Sequence, residues 1–160
     1  MDQIVIRRAK PEDIDTIARL WEALVAYHGD LDPSLPPSAP QGARRYARRL
    51  LDRIDDPMSR VFVSEVDGKV VGYVLGVIVE LAPEMFQQEA SGFLADLFVE
   101  EAYRRSGLGR GLVVELASWF REKGVGYFEW HVAARNEESI AFWRSLGGRE
   151  VMLRMRADLD

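Results

Sequence analysis

A glycine-rich basic loop is the segment of this sequence best suited to bind an anion. Residues 92–99 are apolar and aromatic, which predicts a buried strand, and a helical pattern begins near residue 108. The junction between them reads Arg104-Arg105-Ser106-Gly107-Leu108-Gly109-Arg110. Glycines let the backbone turn its N–H groups toward a ligand, and a helix N-terminus adds about half a positive charge. The pattern therefore predicts a phosphate or pyrophosphate site.

Two familiar phosphate-binding motifs differ from this loop. A Walker loop requires Gly-Lys-Ser/Thr, whereas Gly109 is followed by Arg110 and Gly111. A dinucleotide fingerprint, Gly-x-Gly-x-x-Gly, directly follows a strand, whereas residues 100–103 separate the strand from the motif here and the glycine spacing differs. The motif that remains is Arg-x-x-Gly-x-Gly, from Arg104 to Gly109.

Composition narrows the class of protein. A chain of 160 residues suits one domain, residues 1–160, with a core of ordinary size. There is no membrane-length apolar run and no signal-peptide pattern, so we expect a soluble, cytoplasmic protein. The absence of cysteine excludes disulfides, thiolate metal sites and an acyl-cysteine step, and with two histidines we expect no metal site. The net charge of -5 argues against nucleic acid as a partner.

The elements that must position the loop follow from periodicity and turn signals. We predict strands at 4–6, 61–66, 70–79, 92–99, 127–132 and 150–155, and helices from about 10 to 29, 43 to 54, 108 to 123 and 136 to 146. Asp67-Gly68 predicts a hairpin turn. The strand–helix–strand order around the glycine loop predicts a parallel pair of strands.

Three surface segments have two interpretations each. The proline-rich connection 30–41 is either a substrate-gating loop or a surface excursion. Helix 43–54 carries five arginines, which form either a solvated face or a docking site for an acidic substrate or for the phosphate groups of the ligand at the glycine loop. The connection 81–91, with Glu84 and Glu89, either borders the substrate side or does nothing specific.

Two motifs together resemble the GNAT superfamily of N-acyltransferases. The loop from Arg104 to Gly109 resembles the family's acyl-CoA pyrophosphate loop. The second, Asn136-x-x-Ser139-x-x-Phe142-Trp143-x-x-x-Gly147-Gly148, resembles the family's Asn-x-x-Ala-x-x-Phe-Tyr-x-x-x-Gly-Phe. The resemblance covers most of the chain. It implies a single-domain α/β fold with a mixed, mostly antiparallel sheet of six to seven strands, helices on both faces and a central, splayed parallel pair.

The resemblance implies an acetyl-CoA-dependent N-acetyltransferase in which a primary amine attacks directly within a ternary complex. It also suggests a homodimer and a small-molecule or peptide amine as substrate, with no membrane partner. The implied contacts with acetyl-CoA come from Leu97, Phe98, Val99, Arg104, Arg105, Ser106, Gly107, Leu108, Gly109, Arg110, Asn136, Phe142 and Trp143. A backbone N–H near Val99 would polarise the thioester carbonyl. Many family members use the tyrosine of the second motif as the acid, but Trp143 has no acidic hydroxyl and can only pack or shape the slot.

The amine must lose a proton before it attacks, so a base is needed. Strand alternation places Glu129 and His131 on one face of their strand, and His131 is a candidate catalytic base or a hydrogen-bonded structural histidine. Asp96, the only charge between residues 93 and 99, could orient the amine or share the work of the base; otherwise it is a buried structural carboxylate. Asp96, Glu129 and His28 are the candidate substrate contacts, although His28, at the end of its helix stripe, better suits a partly buried structural position.

Two other classes of function stay open at this stage. The missing tyrosine would also fit a non-catalytic acyl-CoA-binding module. The arginine-rich helix and the 81–91 connection would fit a protein-interaction module with a vestigial CoA site.

Overall fold

A computed structural model describes residues 2–82, 84–87 and 90–160 of the chain. Its strands are β1 (Ile4–Arg8), β2 (Ser59–Val66), β3 (Lys69–Glu80), β4 (Ala90–Val99) and β5 (Phe128–Trp130). Its helices are α1 (Ile14–Leu31), α2 (Gly42–Arg53), α3 (Leu108–Glu122) and α4 (Glu137–Ser145), with short 3-10 turns at Pro11–Asp13 and Glu101–Tyr103. The strands form one sheet in the order β1-β2-β3-β4-β5, antiparallel except for the parallel pair β4–β5.

Each face of the sheet is covered by its own hydrophobic cluster. One cluster is centred on α3, where Leu112 and Leu116 are fully buried. The other lies under α1 and α2 and includes Ile17, Leu50 and Tyr73. A side chain at Gly76 of β3 would collide with Leu116, because a Cβ there would lie 2.4 Å from its Cδ1. The glycine in this strand therefore allows the close approach of α3 that a glycine in a strand interior predicts.

The hairpin and most of the predicted elements are confirmed. Asp67 and Gly68 both have positive φ, 49° and 80°, as the two-residue turn requires. Helix α1 begins after Pro11–Asp13 as expected, but Gly29 does not end it, since the helix continues to Leu31. Strand β5 is shorter than the predicted 127–132. Glu89, the loop acid noted above, lies outside the described residues.

The predicted number of strands, six to seven, is wrong. Residues 150–155 form no strand and are exposed along their whole length, so the described sheet has five strands. The parallel pair consequently lies at the end of the sheet and not at its centre. A strand exists only where a neighbour accepts its hydrogen bonds, and among the described residues nothing pairs with segment 150–155.

The parallel pair is short, and the expected splay of its strands stays a prediction. Strand β5 pairs with β4 only from Gly92↔Phe128 to Leu94↔Trp130. Directly beyond this point, the register between β3 and β4 shifts, because Gly76 pairs with Leu94 and Leu75 with Asp96, leaving Ala95 as a β-bulge. No helix of the described residues has the length and apolarity to cross a bilayer.

Candidate functional site

The glycine loop turns the start of α3 toward solvent. Gly107 precedes the helix with φ 85°, a left-handed conformation that suits glycine, and Arg105 adopts φ 61°. No side chain caps this helix. The first N–H groups of a helix have no partner within it, so those of Leu108, Gly109 and Arg110 remain available to an anion. This geometry fits the predicted pyrophosphate site.

The three arginines of the loop lie in different environments. Arg105 and Arg110 are exposed, where they can add positive charge to the site. The guanidinium of Arg104 instead donates from Nε to the carbonyl of Val99 at 2.9 Å and stacks between two rings, at 4.7 Å from Tyr27 and 5.3 Å from Phe98. Arg104 therefore ties the loop to β4 and to α1.

The last residues of β4 direct some of their backbone groups away from β3. The N–H of Glu100 donates to the carbonyl of Val71 on β3 at 2.8 Å. Because backbone groups alternate in direction along a strand, Phe98 also faces β3, whereas Leu97 and Val99 face the opposite side. Pairing with β5 ends at Leu94. The N–H groups of Leu97 and Val99 thus point to the β5 side of β4, beyond the last pair of the parallel ladder.

The bulge at Ala95 decides which face Asp96 occupies. In a regular strand Asp96 would share the face of Leu94, which packs in the α3 cluster. The extra residue reverses the alternation. Asp96 instead contacts Tyr46 of α2, while Leu97 packs on the α3 side. Simple alternation predicts that Asp96 faces opposite to Ala95, Leu97 and Val99; the structure confirms this for Leu97 and Val99, while Ala95 lies in the bulge.

Asp96 lies in a small, partly buried polar cluster. The hydroxyl of Tyr46 donates to its Oδ2 at 2.7 Å, and the hydroxyl of Tyr73 lies 3.4 Å from that of Tyr46. Burial raises the pKa of the Asp96 carboxyl, although the Tyr46 hydrogen bond and the electrostatic interactions with His28 and Arg53 oppose this. Burial and the Asp96 charge raise the pKa of Tyr46 and of Tyr73, so both phenols stay protonated and act as donors.

His28 stands at the C-terminal end of α1, half-buried and within electrostatic reach of Asp96. Burial lowers the pKa of its imidazole, and the Asp96 carboxylate partly offsets this. At neutral pH the ring is therefore mostly uncharged. The structure brings His28 and Asp96 together, as two of the candidate substrate contacts.

His131 directly follows β5 and continues its alternation, so it points to the same side as Glu129. Phe128 and Trp130 pack on the α3 cluster, so the residues between and after them point to the α1–α2 side. The ring of His131 contacts Phe93 edge-on, with centroids 5.2 Å apart. Both His131 and Glu129 are exposed, and they lie on the same face of the sheet as Asp96.

The second motif is built around the start of α4. The Oδ1 of Asn136 accepts the N–H of Ser139 at 3.1 Å, which caps the helix. Phe142 lies under the glycine loop, 3.5 Å from where a Cβ on Gly109 would be. Trp143 is buried and stacks on Trp130 at a centroid distance of 4.4 Å, so its role in this structure is packing.

The sequence analysis did not identify three tyrosines as site residues, namely Tyr46, Tyr73 and Tyr27. Tyr46 and Tyr27 stand in helices and Tyr73 in an apolar strand, where an aromatic ring is ordinary. A buried phenol needs a hydrogen-bond partner, and this requirement was the one indication that such a tyrosine has a polar neighbour. The partner of Tyr46, Asp96, is 50 residues away in sequence, so spacing could not reveal it.

Two further expectations concern charge and metal. All five arginines of α2 are exposed, namely Arg44, Arg45, Arg48, Arg49 and Arg53. Within residues 2–82, 84–87 and 90–160, no group of three histidine or acidic side chains could hold a metal ion.

Comparison with known proteins identifies this architecture. The model of the acetyltransferase (GNAT) family matches residues 19–147. The chain belongs to the GNAT acetyltransferase family. The family predicted from the two motifs is therefore confirmed, and the chain carries an N-acetyltransferase domain.

The sequence identity between this chain and individual relatives is low. Glucosamine 6-phosphate N-acetyltransferase of Trypanosoma brucei brucei is 29% identical over 103 residues, which are 64% of this chain and 66% of that protein. The chain spans between 25% and 66% of the curated relatives it matches. A mutant of the BH1408 protein of Bacillus halodurans is 28% identical with a TM-score of 0.80, covering 97% of this chain and 99% of that one. The aminoglycoside N-acetyltransferase AAC(6')-Iy, solved with CoA, shares the fold at 18% identity, a TM-score of 0.70 and coverage of 98% and 97%.

Proposed function

We propose that this GNAT protein transfers the acetyl group of acetyl-CoA to a primary amine by direct attack within a ternary complex. The observation that carries the proposal is the arrangement along β4: the open N-terminus of α3 follows its end, the N–H groups of Leu97 and Val99 point to the β5 side, and the half-buried carboxylate of Asp96 contacts Tyr46 of α2. An anion site, a run of backbone donors and an acceptor carboxylate in this order match a long phosphorylated thioester meeting an amine. Family membership supports acetyl-CoA as the donor.

The acetyl-CoA side is built mainly from backbone. The N–H groups of residues 105–110 would hold the pyrophosphate, with Arg105 and Arg110 adding charge. The backbone of residues 97–99 would pair with the pantetheine arm, and an N–H from Leu97 or Val99 would polarise the thioester carbonyl. Asn136 would contact the end of the arm and Phe142 would pack beneath it. Acetyl-CoA supplies an activated thioester carbonyl.

The acceptor side is built from side chains. An alkyl amine with a pKa near ~10 enters mostly as an ammonium ion. Asp96 would bind and orient this cation, with His28 and Glu129 at the edge of the same site. His131 would take up the proton, directly or through water, since imidazole can accept a proton at neutral pH.

The leaving thiolate requires no acid from the second motif. Trp143 is buried against Trp130 and has no acidic hydroxyl, so CoA would leave as the thiolate and take a proton from water. With no cysteine in the chain, an acyl-cysteine is excluded and direct attack remains. The relative named for glucosamine 6-phosphate supports an amine acceptor, and no observation favours a non-catalytic module.

The first test is a thermal-shift titration with acetyl-CoA and with CoA on the wild type and Gly109→Trp. Ligand at 100 times its Kd stabilises a preformed site by about 2.7 kcal/mol. We expect a higher melting temperature in the wild type and no shift in Gly109→Trp, whose new ring would lie against Phe142 at the start of α3. Gly126→Trp is the matched control, because nothing lies within 4 Å of a Cβ there.

If the ligands raise the melting temperature of the wild type and of Gly126→Trp but not of Gly109→Trp, a screen of amines at saturating acetyl-CoA follows. Acetylated product from a primary amine supports the proposal. A folded wild type that shows no shift with either ligand contradicts the acetyl-CoA site. Tight binding without turnover of any amine would instead favour the non-catalytic alternative.

A further inference from the structure

An apolar strip of the sheet, formed by Val77, Val79 and Phe93, lies beside the proposed acceptor site. Phe93 of β4 is half-buried and Val79 of β3 is 40% exposed, and neither of them packs in the α3 cluster or in the cluster under α1 and α2. Val77, which pairs with Phe93, lies at the edge of the second cluster. Apolar surface that a protein leaves outside its core, next to a functional site, indicates a binding surface.

The apolar strip lies on the face of the sheet that carries α1 and α2. Gly92 belongs to the opposite face, because a Cβ there would lie 2.8 Å from the ring of Phe120 of α3. Since side chains alternate along a strand, Phe93 faces the α1–α2 side. On β3, Ile78 packs in the α3 cluster, so its neighbours Val77 and Val79 share the face of Phe93.

Phe93 connects the apolar strip to the two groups that would handle the amine. Its ring contacts the ring of His131 edge-on, with centroids 5.2 Å apart. Asp96 follows it on the same strand and, beyond the bulge, on the same face. The register with β3 therefore places Asp96, Phe93 and Val79 in this order along the sheet, with His131 to one side. For an amine whose nitrogen lies at Asp96 and His131, Phe93 is the adjoining surface for the rest of the molecule.

We propose that the acceptor is a small primary amine with an apolar alkyl or aryl body, which lies on the apolar strip while its nitrogen lies between Asp96 and His131. This inference rests on the proposed acetyltransferase function and narrows its substrate class. Phe93 and Val79 are then the residues that determine specificity. Because burying one methylene group tightens binding by up to about fourfold, the strip would select amines by the length of their apolar body.

The charges around the apolar strip favour an uncharged body over a charged one. Glu129 of β5 pairs with Phe93 in register and is exposed on the same face, so it would repel a carboxylate or phosphate on the acceptor. It would attract a second ammonium ion only on the β5 side of Phe93. Glu80, which follows Val79, points to the opposite face. A body that continues along the strip therefore contacts only apolar side chains among Val77, Val79 and Phe93.

Isothermal titration calorimetry at saturating CoA measures the binding of amines without turnover. Butylamine and hexylamine differ by two methylene groups, whereas 1,4-diaminobutane and 4-aminobutyrate keep the butylamine chain and end it in a charge. We expect hexylamine to bind roughly fourfold to sixteenfold more tightly than butylamine, and both charge-ended amines to bind more weakly than butylamine. Equal affinities, tighter binding of 1,4-diaminobutane than of butylamine, or no binding of any of these amines overturns the proposal.

Variants of the apolar strip then locate the binding surface. Phe93→Ala should bring the Kd values of hexylamine and butylamine close together. Val79→Thr should reduce the preference for hexylamine about twofold, whereas Val114→Thr, the same change at a 55% exposed valine of α3 on the other face of the sheet, should retain it. Circular dichroism checks that each variant is folded. A folded Phe93→Ala that keeps the full preference overturns the proposal, and Val79→Thr against Val114→Thr decides it if Phe93→Ala does not fold.

Acetylation of the same amines separates this inference from the function on which it rests. We expect kcat/KM to be higher for hexylamine than for butylamine, with the difference in KM, because binding to the apolar strip is equally strong before and during the reaction. If both amines are acetylated with the same kcat/KM, the acetyltransferase function stands and the substrate class is wrong. If hexylamine binds preferentially and loses this preference in Phe93→Ala, but no amine is acetylated, the apolar binding site stands and the acetyltransferase function is wrong.

Discussion

The two halves of the proposed site use different groups, backbone in one and side chains in the other. The acetyl-CoA half comprises residues 97–99, the glycine loop and the start of α3, and it works through backbone N–H groups. The acceptor half comprises Asp96, Tyr46, His28 and His131, and it works through side chains from α1, α2, β4 and the residue that follows β5. Both meet at the bulge of β4, beyond which Asp96 faces α2 and Leu97 faces the α3 cluster.

This difference explains which chemistry the sequence revealed. A site built from backbone N–H groups needs glycines and a helix start at fixed spacing, so it can be recognised as a motif in the sequence. A site built from side chains needs only that residues distant in sequence meet in space, so no sequence motif marks it. The same difference predicts that the acceptor half can be disabled residue by residue, whereas the acetyl-CoA half tolerates most side-chain changes that preserve its backbone.

The largest effect is expected for Asp96→Asn. The amide keeps an acceptor for the Tyr46 hydroxyl but loses the charge that binds the ammonium ion, so kcat/KM for the amine should fall about a hundredfold to a thousandfold. Acetyl-CoA affinity should not change. Steady-state kinetics and the thermal-shift titration measure the two quantities, with Asp52→Asn on the exposed side of α2 as the control.

The same variant separates function from stability. Because burial raises the pKa of Asp96 in the folded protein, its ionisation costs stability as the pH rises from the unfolded value through the folded one. Asp96→Asn removes this cost. Its melting temperature should therefore be at or above that of the wild type at pH 7, and the difference should shrink toward pH 4. A variant that is less stable and equally active would show that Asp96 is a structural carboxylate.

The fold was predictable where local chemistry dictates structure and not where pairing depends on partners. Asp67 and Gly68 set the hairpin by themselves, and the apolar stripe of α3 sets that helix. Residues 150–155 are mostly apolar, as many strands are, but a strand also needs a neighbour, and none of the described residues provides one. In the site, the glycine loop was predictable, whereas the contact of Tyr46 with Asp96 depended on how α2 packs on the sheet.

An intermediate effect is expected for His131→Ala. The imidazole is exposed, so water can replace it in part, and we expect a loss in kcat of about tenfold to a hundredfold with unchanged acetyl-CoA affinity. The exposed site should also admit free imidazole, which should restore activity to this variant and leave the wild type unaffected. Unchanged rates across the pH profile would remove His131 from the mechanism.

The smallest effect is expected at Asn136, whose side chain caps α4 and is also proposed to contact acetyl-CoA. Its Oδ1 caps α4, so Asn136→Ala should cost about 1 kcal/mol of unfolding free energy in a denaturant titration. Asn136→Asp keeps the capping oxygen and should restore stability. It lacks the amide donor, however, so if the side chain contacts acetyl-CoA as proposed, the KM for acetyl-CoA should still rise severalfold. If Asn136→Asp recovers both the stability and the KM, Asn136 is a helix cap alone. The acetyl-CoA half then gains no side-chain contact from this residue.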